Sequence, residues 1–313
     1  MEQRHHSVLF QETLDALAIE AGDIVVDATV GGAGHFAAML EKLDASGTIV
    51  GIDADQDAIE RAQKKAEGAQ ASVHLVRDNF RNLASILDDL GIETADKVLF
   101  DLGWSSFQLS VGRGFTFRED EPLLMTYGDA EEGKTAADIV NSATEEEIAD
   151  IIYTYGEERF SRGIARAIVA ARREESILTT GALVRAVEEG VPAWYKHRKT
   201  HPATKTFQAL RIAVNDELGA LREALAAALA RVSLGGRIAV ISFHSIEDRI
   251  VKSAFRDAAH EGQGMLVNKR PIAPSDRELM ENPRARSAKL RVFARCDKIN
   301  HLGAITNLSS LYA

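Results

Sequence analysis

The stretch IVVDATVGGAGH, residues 24–35, decides the fold. It is typical of a buried strand followed by a glycine-rich turn that opens a helix. A second apolar run, TIVGID at residues 48–53, predicts the next strand and ends in Asp53. Glycines let a ligand approach the backbone closely, and a carboxylate in this place can accept hydrogen bonds from both hydroxyls of a ribose. The pattern therefore predicts a doubly wound α/β domain that holds a nucleoside-bearing cofactor.

Two cofactors are compatible with this loop. Gly32, Gly34 and Ala37 match the dinucleotide fingerprint, and Asp53 follows after about 20 residues, so an NAD-dependent oxidoreductase is one interpretation. Asp27 argues against it, because a carboxylate before the loop would repel a pyrophosphate and attract the sulfonium and amino groups of S-adenosylmethionine (SAM). The charge pattern favours SAM. A glycine turn that serves packing alone is the other alternative.

The bulk composition excludes several classes of protein. The 313 residues, 45% of them hydrophobic and 27% charged, are typical of a globular protein with one large domain or two moderate ones. No apolar run approaches the length of a membrane span, and the first residues lack a signal-peptide pattern. One cysteine, Cys296, excludes an intramolecular disulfide and a cysteine-based metal cluster. We expect a cytoplasmic enzyme without a membrane anchor or a metal site.

Three basic clusters contrast with a net charge of −10. They are KHRK at residues 196–199, KR at 269–270, and the segment 284–291. Each run alone is typical of a solvated face, but a cleft can be basic on an acidic protein. The clusters therefore make RNA binding a hypothesis.

Strands and helices alternate through the first hundred residues. Further strands are predicted at 72–76 and 97–103, with helices at 56–67 and 83–90, which indicates a parallel sheet with right-handed crossovers. Ligands in such sheets bind at the carboxyl ends of the strands. The residues expected at those ends are Asp27, Asp53, Asp78, Asn79, Phe80 and Asp101.

The pattern changes to helices from about residue 114 to 200. Helices are predicted at 144–155, 159–174 and 180–189, and no strand pattern interrupts them. We therefore expect an inserted all-helical domain at 114–200, within a sheet domain formed by 1–113 and 201–313. After the insertion, the sequence predicts one long helix at about 206–232, a strand ending at Ser242, and a last strand at 288–295.

Asp101 is the candidate catalytic residue. It follows the fourth strand, where the methyl group of SAM would lie, and methyl transfer depends on positioning of the acceptor. The exocyclic amine of a nucleobase is a poor nucleophile, and a carboxylate on its N–H would favour the reactive geometry and take up the proton. Phe80 could stack on the adenine, and Gln108 could hydrogen-bond in the pocket. The segment around His244 lacks a nucleophile elbow, which argues against a hydrolase.

Sequence blocks along most of the chain resemble one family, the bacterial 16S ribosomal RNA (cytosine-N4) methyltransferases. They are HHSVL at 5–9, GH at 34–35, DLG at 101–103 with SS at 105–106, RGF at 113–115, YGEERF at 155–160, HPATKTFQALR at 201–211, SFHSIEDR at 242–249 and NPRARS at 282–287.

The resemblance implies a Rossmann-like, SAM-dependent methyltransferase sheet with a helical insertion. Its reaction would be methylation of the N4 amine of a decoding-region cytidine in small-subunit rRNA, with the rRNA presented within the small ribosomal subunit. The sequence is also compatible with a homodimer. By position, the family's cofactor residues are Ala33, Gly34, His35, Asp53, Phe80, Asp101 and Gln108.

Several positions depart from the family pattern near the catalytic loop and the insertion. Leu124 and Thr126 stand where the family has an acid and a base, and Gly112 replaces an acid. These changes leave open a second alternative, an RNA- or ribosome-binding protein that retains the fold without catalysis.

Overall fold

A computed structural model describes residues 7–103, 112–127 and 134–297, and within them the centre of the molecule is one seven-stranded sheet. The strands are β1 (Ile24–Asp27), β2 (Thr48–Asp53), β3 (Ser72–Arg77), β4 (Ala95–Asp101), β5 (Val232–Ser242), β6 (Gly264–Leu266) and β7 (Lys289–Arg295). Their order is β3-β2-β1-β4-β5-β7-β6. The first five are parallel, and β7 is antiparallel to both β5 and β6. The order reverses between β1 and β4, so the crevice for a ligand lies outside the carboxyl ends of these two strands.

Helices cover both faces of the sheet, and further helices form a separate helical region. They are α1 (Phe10–Leu17), α2 (Gly34–Leu40), α3 (Gln56–Lys65), α4 (Leu83–Asp89), α5 (Ala136–Ser142), α6 (Glu145–Gly156), α7 (Ser161–Glu174), α8 (Thr180–Glu189), α9 (Ala193–Lys196), α10 (Ala203–Asn215), α11 (Glu217–Arg231), α12 (Ser245–His260) and α13 (Asp276–Glu281). No described helix combines the length and the apolar character that crossing a membrane requires.

Two apolar clusters sandwich the sheet, because successive side chains of a strand point to opposite faces. Val25 packs with helices α1, α2 and α3, whereas its neighbour Val26 packs with α4, α11 and α12. Ile49 and Val50 repeat this division on β2. The predicted α/β fold with strands buried on both faces is confirmed.

A third apolar cluster forms the core of the helical region. It joins Leu123 of the preceding loop to helices α5 to α8, and α10 adds Ala203, Phe207 and Leu210. Thr144 and Thr135 cap α6 and α5 through capping boxes, as a Thr followed three residues later by an acid predicts. The apolar core of the helical region thus includes residues of α10.

The prediction of one long helix at 206–232 is wrong. The chain breaks at Asp216, which has φ 45° and separates α10 from α11. Asp tolerates this left-handed conformation better than most residues, and Gly219 leaves room for its carboxylate, since a Cβ there would lie 2.4 Å from Asp216 Oδ2. The break changes the direction of the chain between the insertion and the sheet. Helices α1, α5, α9, α12 and α13 and the three-residue strand β6 were not predicted.

Candidate active site

A cleft of about 1590 Å³ opens at the carboxyl ends of the strands. Residues of the sheet edge form one wall, and residues of the helical region, such as Phe117 and Phe207, form the other. Pockets for one small molecule usually enclose about 300–1,000 Å³. The cleft therefore has room for a nucleoside cofactor together with part of a second ligand.

The glycine loop between β1 and α2 is fixed by its neighbours. Gly31 has φ 50°, and its N–H donates to Asp53 Oδ2 at 2.8 Å, which ties the loop to the end of β2. Gly34 lets Ser7 approach closely, because a Cβ at residue 34 would lie 2.1 Å from Ser7 Oγ and would force that side chain to move. The segment before α1 therefore crosses the start of α2, and both line the cleft.

Asp53 has the environment expected of a ribose-binding carboxylate. Its Oδ1 accepts a hydrogen bond from the Asp55 N–H at 2.9 Å, and its Oδ2 accepts the Gly31 N–H. Burial raises the pKa of Asp53, and these two hydrogen bonds oppose the rise. A carboxylate oxygen has more than one lone pair, so each oxygen can accept a second hydrogen bond from a hydroxyl in the cleft.

Asp27, His35 and Asp101 form a buried charge cluster at the ends of β1 and β4. His35 is 4% exposed, and its Nδ1 lies 3.3 Å from Asp101 Oδ2. Burial lowers the pKa of His35, but its hydrogen bond with Asp101 and the charges of both carboxylates outweigh burial and raise it. Thr29 fixes the backbone beneath the cluster, because its Oγ1 accepts the Asp101 N–H at 2.6 Å.

The structure changes the role expected for Asp27. Its side chain is 1% exposed and is absent from the lining of the cleft, so it does not face a sulfonium there. Its Oδ1 accepts the Thr29 N–H at 3.2 Å, whereas Oδ2 is buried with no hydrogen-bond partner among the described residues. Burial raises the pKa of Asp27 to about 7, although the charge of His35 lowers it. Asp27 therefore acts on the cleft through His35.

The end of β3 adds an aromatic surface. Phe80 lines the cleft and contacts Phe100 edge to face, with ring centroids 6.0 Å apart. Asp78 Oδ1 accepts hydrogen bonds from the Asn79 N–H and the Asn82 side chain, so it shapes the turn that carries Phe80. This wall can pack against the flat face of a base.

Five of the seven predicted cofactor residues line the cleft. Ala33 is fully buried behind the loop, and its N–H donates to the Val30 carbonyl oxygen, so its side chain does not reach the cleft. Gln108 lies outside the described residues. The five that line it are Gly34, His35, Asp53, Phe80 and Asp101.

A polar network that the sequence did not predict lies on the opposite wall. Arg211 donates two hydrogen bonds to Glu217, from Nε at 2.7 Å and from Nη2 at 2.9 Å. The Tyr127 hydroxyl donates to the same carboxylate at 2.8 Å, and burial raises the pKa of Tyr127. Tyr127 and Arg211 line the cleft, and Glu217 joins them although Tyr127 lies 90 residues away in sequence.

His244 and Glu247 extend that network towards the sheet. Glu247 Oε2 accepts the N–H groups of Phe243 and His244, which caps α12. Ligand atoms of Glu217, His244 and Glu247 lie within 4.8 Å of one another, a spacing at which three such groups can hold a metal ion. The guanidinium of Arg211, which is always charged, donates hydrogen bonds to both oxygens of Glu217. Arg211 therefore already provides a positive charge at this place.

Comparison with known proteins identifies the family of the chain. The model of the MraW methylase family matches residues 2–296. A Brevibacillus brevis protein called ribosomal RNA small subunit methyltransferase H is 45% identical over 304 residues, which cover 92% of this chain and 96% of that protein. A Clostridium botulinum protein of the same name is 43% identical over 315 residues, with coverage of 96% and 100%.

Solved structures that align with the chain are more distant in sequence. A putative rRNA-methylase from Clostridium thermocellum aligns with TM-score 0.46 and 13% identity, over 93% of this chain and 98% of that one. An rRNA methylase from Streptococcus thermophilus aligns with TM-score 0.45 and 12% identity, over 95% and 99%. The family model itself spans nearly the whole chain, and the chain therefore belongs to the MraW methylase family, which confirms the predicted SAM-dependent rRNA methyltransferase.

Proposed function

We propose that this enzyme methylates the N4 amine of one cytidine in the decoding region of small-subunit rRNA. The observation that carries the proposal is the Asp101 carboxylate, which lines the cleft at the switch point and is held by His35 at 3.3 Å. The relatives named as small-subunit rRNA methyltransferases support the choice of RNA. The resemblance of the HPATKTFQALR and SFHSIEDR blocks supports the choice of cytidine N4.

The residues at the sheet edge fit SAM. Asp53 has lone pairs for the ribose hydroxyls, Phe80 offers an aromatic surface for the adenine, and the backbone at Gly34 lies at the cleft. When bound, SAM supplies an electrophilic methyl group. Gln108 and the backbone at Ala33 stay part of the proposed cofactor set on the resemblance alone.

Asp101 would act on the substrate amine. The lone pair of a cytosine N4 amine is delocalised into the ring, so the amine needs help to become nucleophilic. Asp101 would accept a hydrogen bond from the amine N–H, orient the lone pair, and take up the proton as the new N–C bond forms and the S–C bond of SAM breaks, with the sulfur keeping the electron pair. His35 holds the carboxylate in place and stabilises its negative charge before the transfer.

The second wall of the cleft would receive the RNA. A base can reach Asp101 only if it leaves its helix, as enzymes that act on bases require. We assign the SAM site to the sheet domain, residues 1–113 and 201–313, and RNA recognition to the helical insertion, residues 114–200. The partner is small-subunit rRNA within the small ribosomal subunit.

The test uses SAM with a labelled methyl group and small ribosomal subunits from cells that lack the modification. We expect label on cytidine N4 at one site after digestion of the rRNA and mass spectrometry. Asp101→Asn keeps the shape but loses basicity, so we expect kcat to fall by about 10²–10⁴ with SAM affinity retained. SAM binding without any transfer would instead favour the non-catalytic RNA-binding alternative, and an unchanged kcat in Asp101→Asn would remove that residue from the mechanism.

A further inference from the structure

Trp194 is a large aromatic side chain on the surface of the helical region. It lies on the short helix α9 and is 56% exposed. It is absent from the lining of the cleft, so a ligand in the cleft does not explain its exposure. An indole left in water at this place needs another reason.

Arginine side chains lie against the aromatic rings around Trp194. The guanidinium carbon of Arg159 is 4.7 Å from the ring centroid of Phe160, 5.0 Å from that of Trp194 and 5.7 Å from that of Tyr195. Arg198 lies 5.2 Å from the Tyr195 ring. We call these five residues the Trp194 patch. Cation–π contacts hold the aromatic rings and the positive charges together.

Tyr195 anchors the patch to the interior. Its side chain is buried, and its hydroxyl donates to the fully buried Glu158 Oε2 at 2.6 Å. Glu158 Oε1 in turn accepts the Phe160 N–H at 2.9 Å. The rings are therefore attached to a fixed support, which reduces the entropy lost when a ligand stacks on the exposed indole.

The chain that follows the patch is basic. Lys196, His197, Arg198 and Lys199 are all exposed, in a protein with a net charge of −10. None of these four side chains forms an ion pair with a carboxylate of the described residues. Positive charge that is not paired with a carboxylate is complementary to a polyanion.

This basic segment connects the patch with the cleft. It ends at His201, whose ring centroid is 4.7 Å from that of Phe117. Phe117 contacts Phe207 at 5.0 Å, and both line the cleft. One continuous stretch, residues 193–201, thus runs from an exposed indole through four basic residues to the aromatic rim of the proposed substrate site.

We propose that Trp194 is a stacking platform for an unpaired base of the substrate RNA near the target nucleotide, while residues 196–199 bind the intervening phosphates. The proposal rests on the proposed function, since it takes RNA as the substrate. Proteins that bind single-stranded nucleic acid combine aromatic side chains and cations in this way. Every base offers a flat face for stacking, and every phosphate carries a negative charge. The Trp194 platform would position the strand so that the target base enters the cleft.

Binding to a short RNA tests the platform directly. The probe is a fluorescein-labelled 12-nucleotide oligouridine, and fluorescence anisotropy gives its Kd. Trp194→Leu keeps an apolar side chain beside Arg159 but removes the aromatic face, so we expect Kd to rise about fivefold or more. Trp194→Phe keeps a smaller aromatic face and should retain most of the affinity. Tyr153→Leu is the matched control, because Tyr153 is 65% exposed on α6 and takes no part in the patch.

A second probe needs no variant. A labelled 12-nucleotide RNA backbone with abasic residues should bind the unmodified enzyme more weakly than oligouridine does. Trp194→Leu should bind the two probes equally. Equal binding of both probes by the unmodified enzyme would overturn the platform, and so would an unchanged Kd in Trp194→Leu or an equal loss in Tyr153→Leu.

Methyl transfer separates this proposal from the proposed function. With small-subunit substrate, Trp194→Leu should raise KM for the subunit and leave kcat and SAM affinity near their original values. If Trp194→Leu loses activity on whole subunits but binds oligouridine normally, Trp194 contacts a ribosomal protein, and the RNA platform is overturned. Normal transfer by Trp194→Leu would overturn the platform alone, whereas base-dependent RNA binding without any methyl transfer would overturn the proposed function alone.

Discussion

Asp27 places an ionisable group beneath the active site where water does not reach. Burial raises its pKa to about 7 from 3.8, against the opposing charge of His35. A carboxylate that keeps its proton when folded but loses it when unfolded favours the unfolded state as the pH rises. The cluster therefore costs stability near neutral pH, and we infer that the charge is kept for its effect on His35 and Asp101.

Asp27→Asn should therefore stabilise the protein in a pH-dependent way. Below pH 3.8 both states of the original protein hold the proton, and between pH 3.8 and 7 only the folded state does. The free energy of unfolding of the original protein should fall across that window relative to the variant. The gain from Asp27→Asn should thus grow from pH 4 to 7 and level off above it, reaching roughly 4 kcal/mol. Urea unfolding at a series of pH values measures the free energy of unfolding of both proteins. A difference between the two proteins that does not change with pH would contradict the prediction.

His35 should matter for turnover more than for cofactor binding. It is 4% exposed, and its Nδ1 faces Asp101, so its main contact is with the carboxylate rather than with open space in the cleft. His35→Gln can still hydrogen-bond Asp101 but cannot carry the charge. We expect kcat to fall on the order of 10–100-fold, since small errors of position cost that much.

The measurement for His35→Gln is kcat as a function of pH together with the Kd for SAM. Because the raised pKa of His35 depends on its neighbours, Asp27→Asn should lower that pKa, which NMR titration of the imidazole detects. A His35→Gln variant whose only defect is loss of SAM affinity would show that His35 acts as a cofactor ligand instead.

Helix α6 begins where a local sequence signal, the capping box of Thr144 and Glu147, sets its first residue. The Thr144 side chain accepts the Glu147 N–H, and the Glu147 side chain accepts the Thr144 N–H at 2.8 Å. Thr144→Ala should lower the free energy of unfolding by about 1 kcal/mol, because a helix N–H loses its acceptor. Thr144→Ser keeps the cap and should stay near the original stability. Thermal unfolding compares the three proteins, and equal Tm values for Ala and Ser would contradict the assignment.

Elements with local signals were the ones that the sequence predicted well. Helix α8 was predicted at 180–189 and found at Thr180–Glu189, and β7 was predicted at 288–295 and found at Lys289–Arg295. The break at Asp216 depends on a left-handed residue inside a helical pattern, which periodicity does not detect. Strand β6 has three residues and exists because it pairs with β7, so its own sequence carries little signal.

The two walls of the cleft also differ in how well the sequence predicted their residues. Asp53 and Asp101 could be predicted because they follow apolar strands, and parallel strands end at one edge of the sheet. The contact of Tyr127 with Glu217 joins residues 90 positions apart, and no motif links them. Arg211 was marked only as the last residue of the HPATKTFQALR block, and its partner Glu217 became visible only in the fold.

At the scale of the whole molecule, an acidic protein binds a polyanion where its surface is locally basic. The cleft offers Arg118 from the insertion side and Arg286 from the segment before β7, and both are exposed. Two exposed cations in the lining of the cleft can hold an RNA backbone. The net charge of −10 disfavours binding elsewhere, so it adds to specificity.

Arg118→Gln combined with Arg286→Gln should weaken RNA binding and flatten its dependence on salt. Each phosphate contact to a single strand contributes about 0.7 to the slope of log K against log salt, so two lost contacts should reduce the slope by about 1.4. Arg166→Gln with Arg256→Gln is the control, because these exposed arginines lie outside the cleft lining. Anisotropy titrations between 50 and about 200 mM salt measure both slopes. Equal slopes for the two double variants would mean that total charge, not the mouth of the cleft, governs binding.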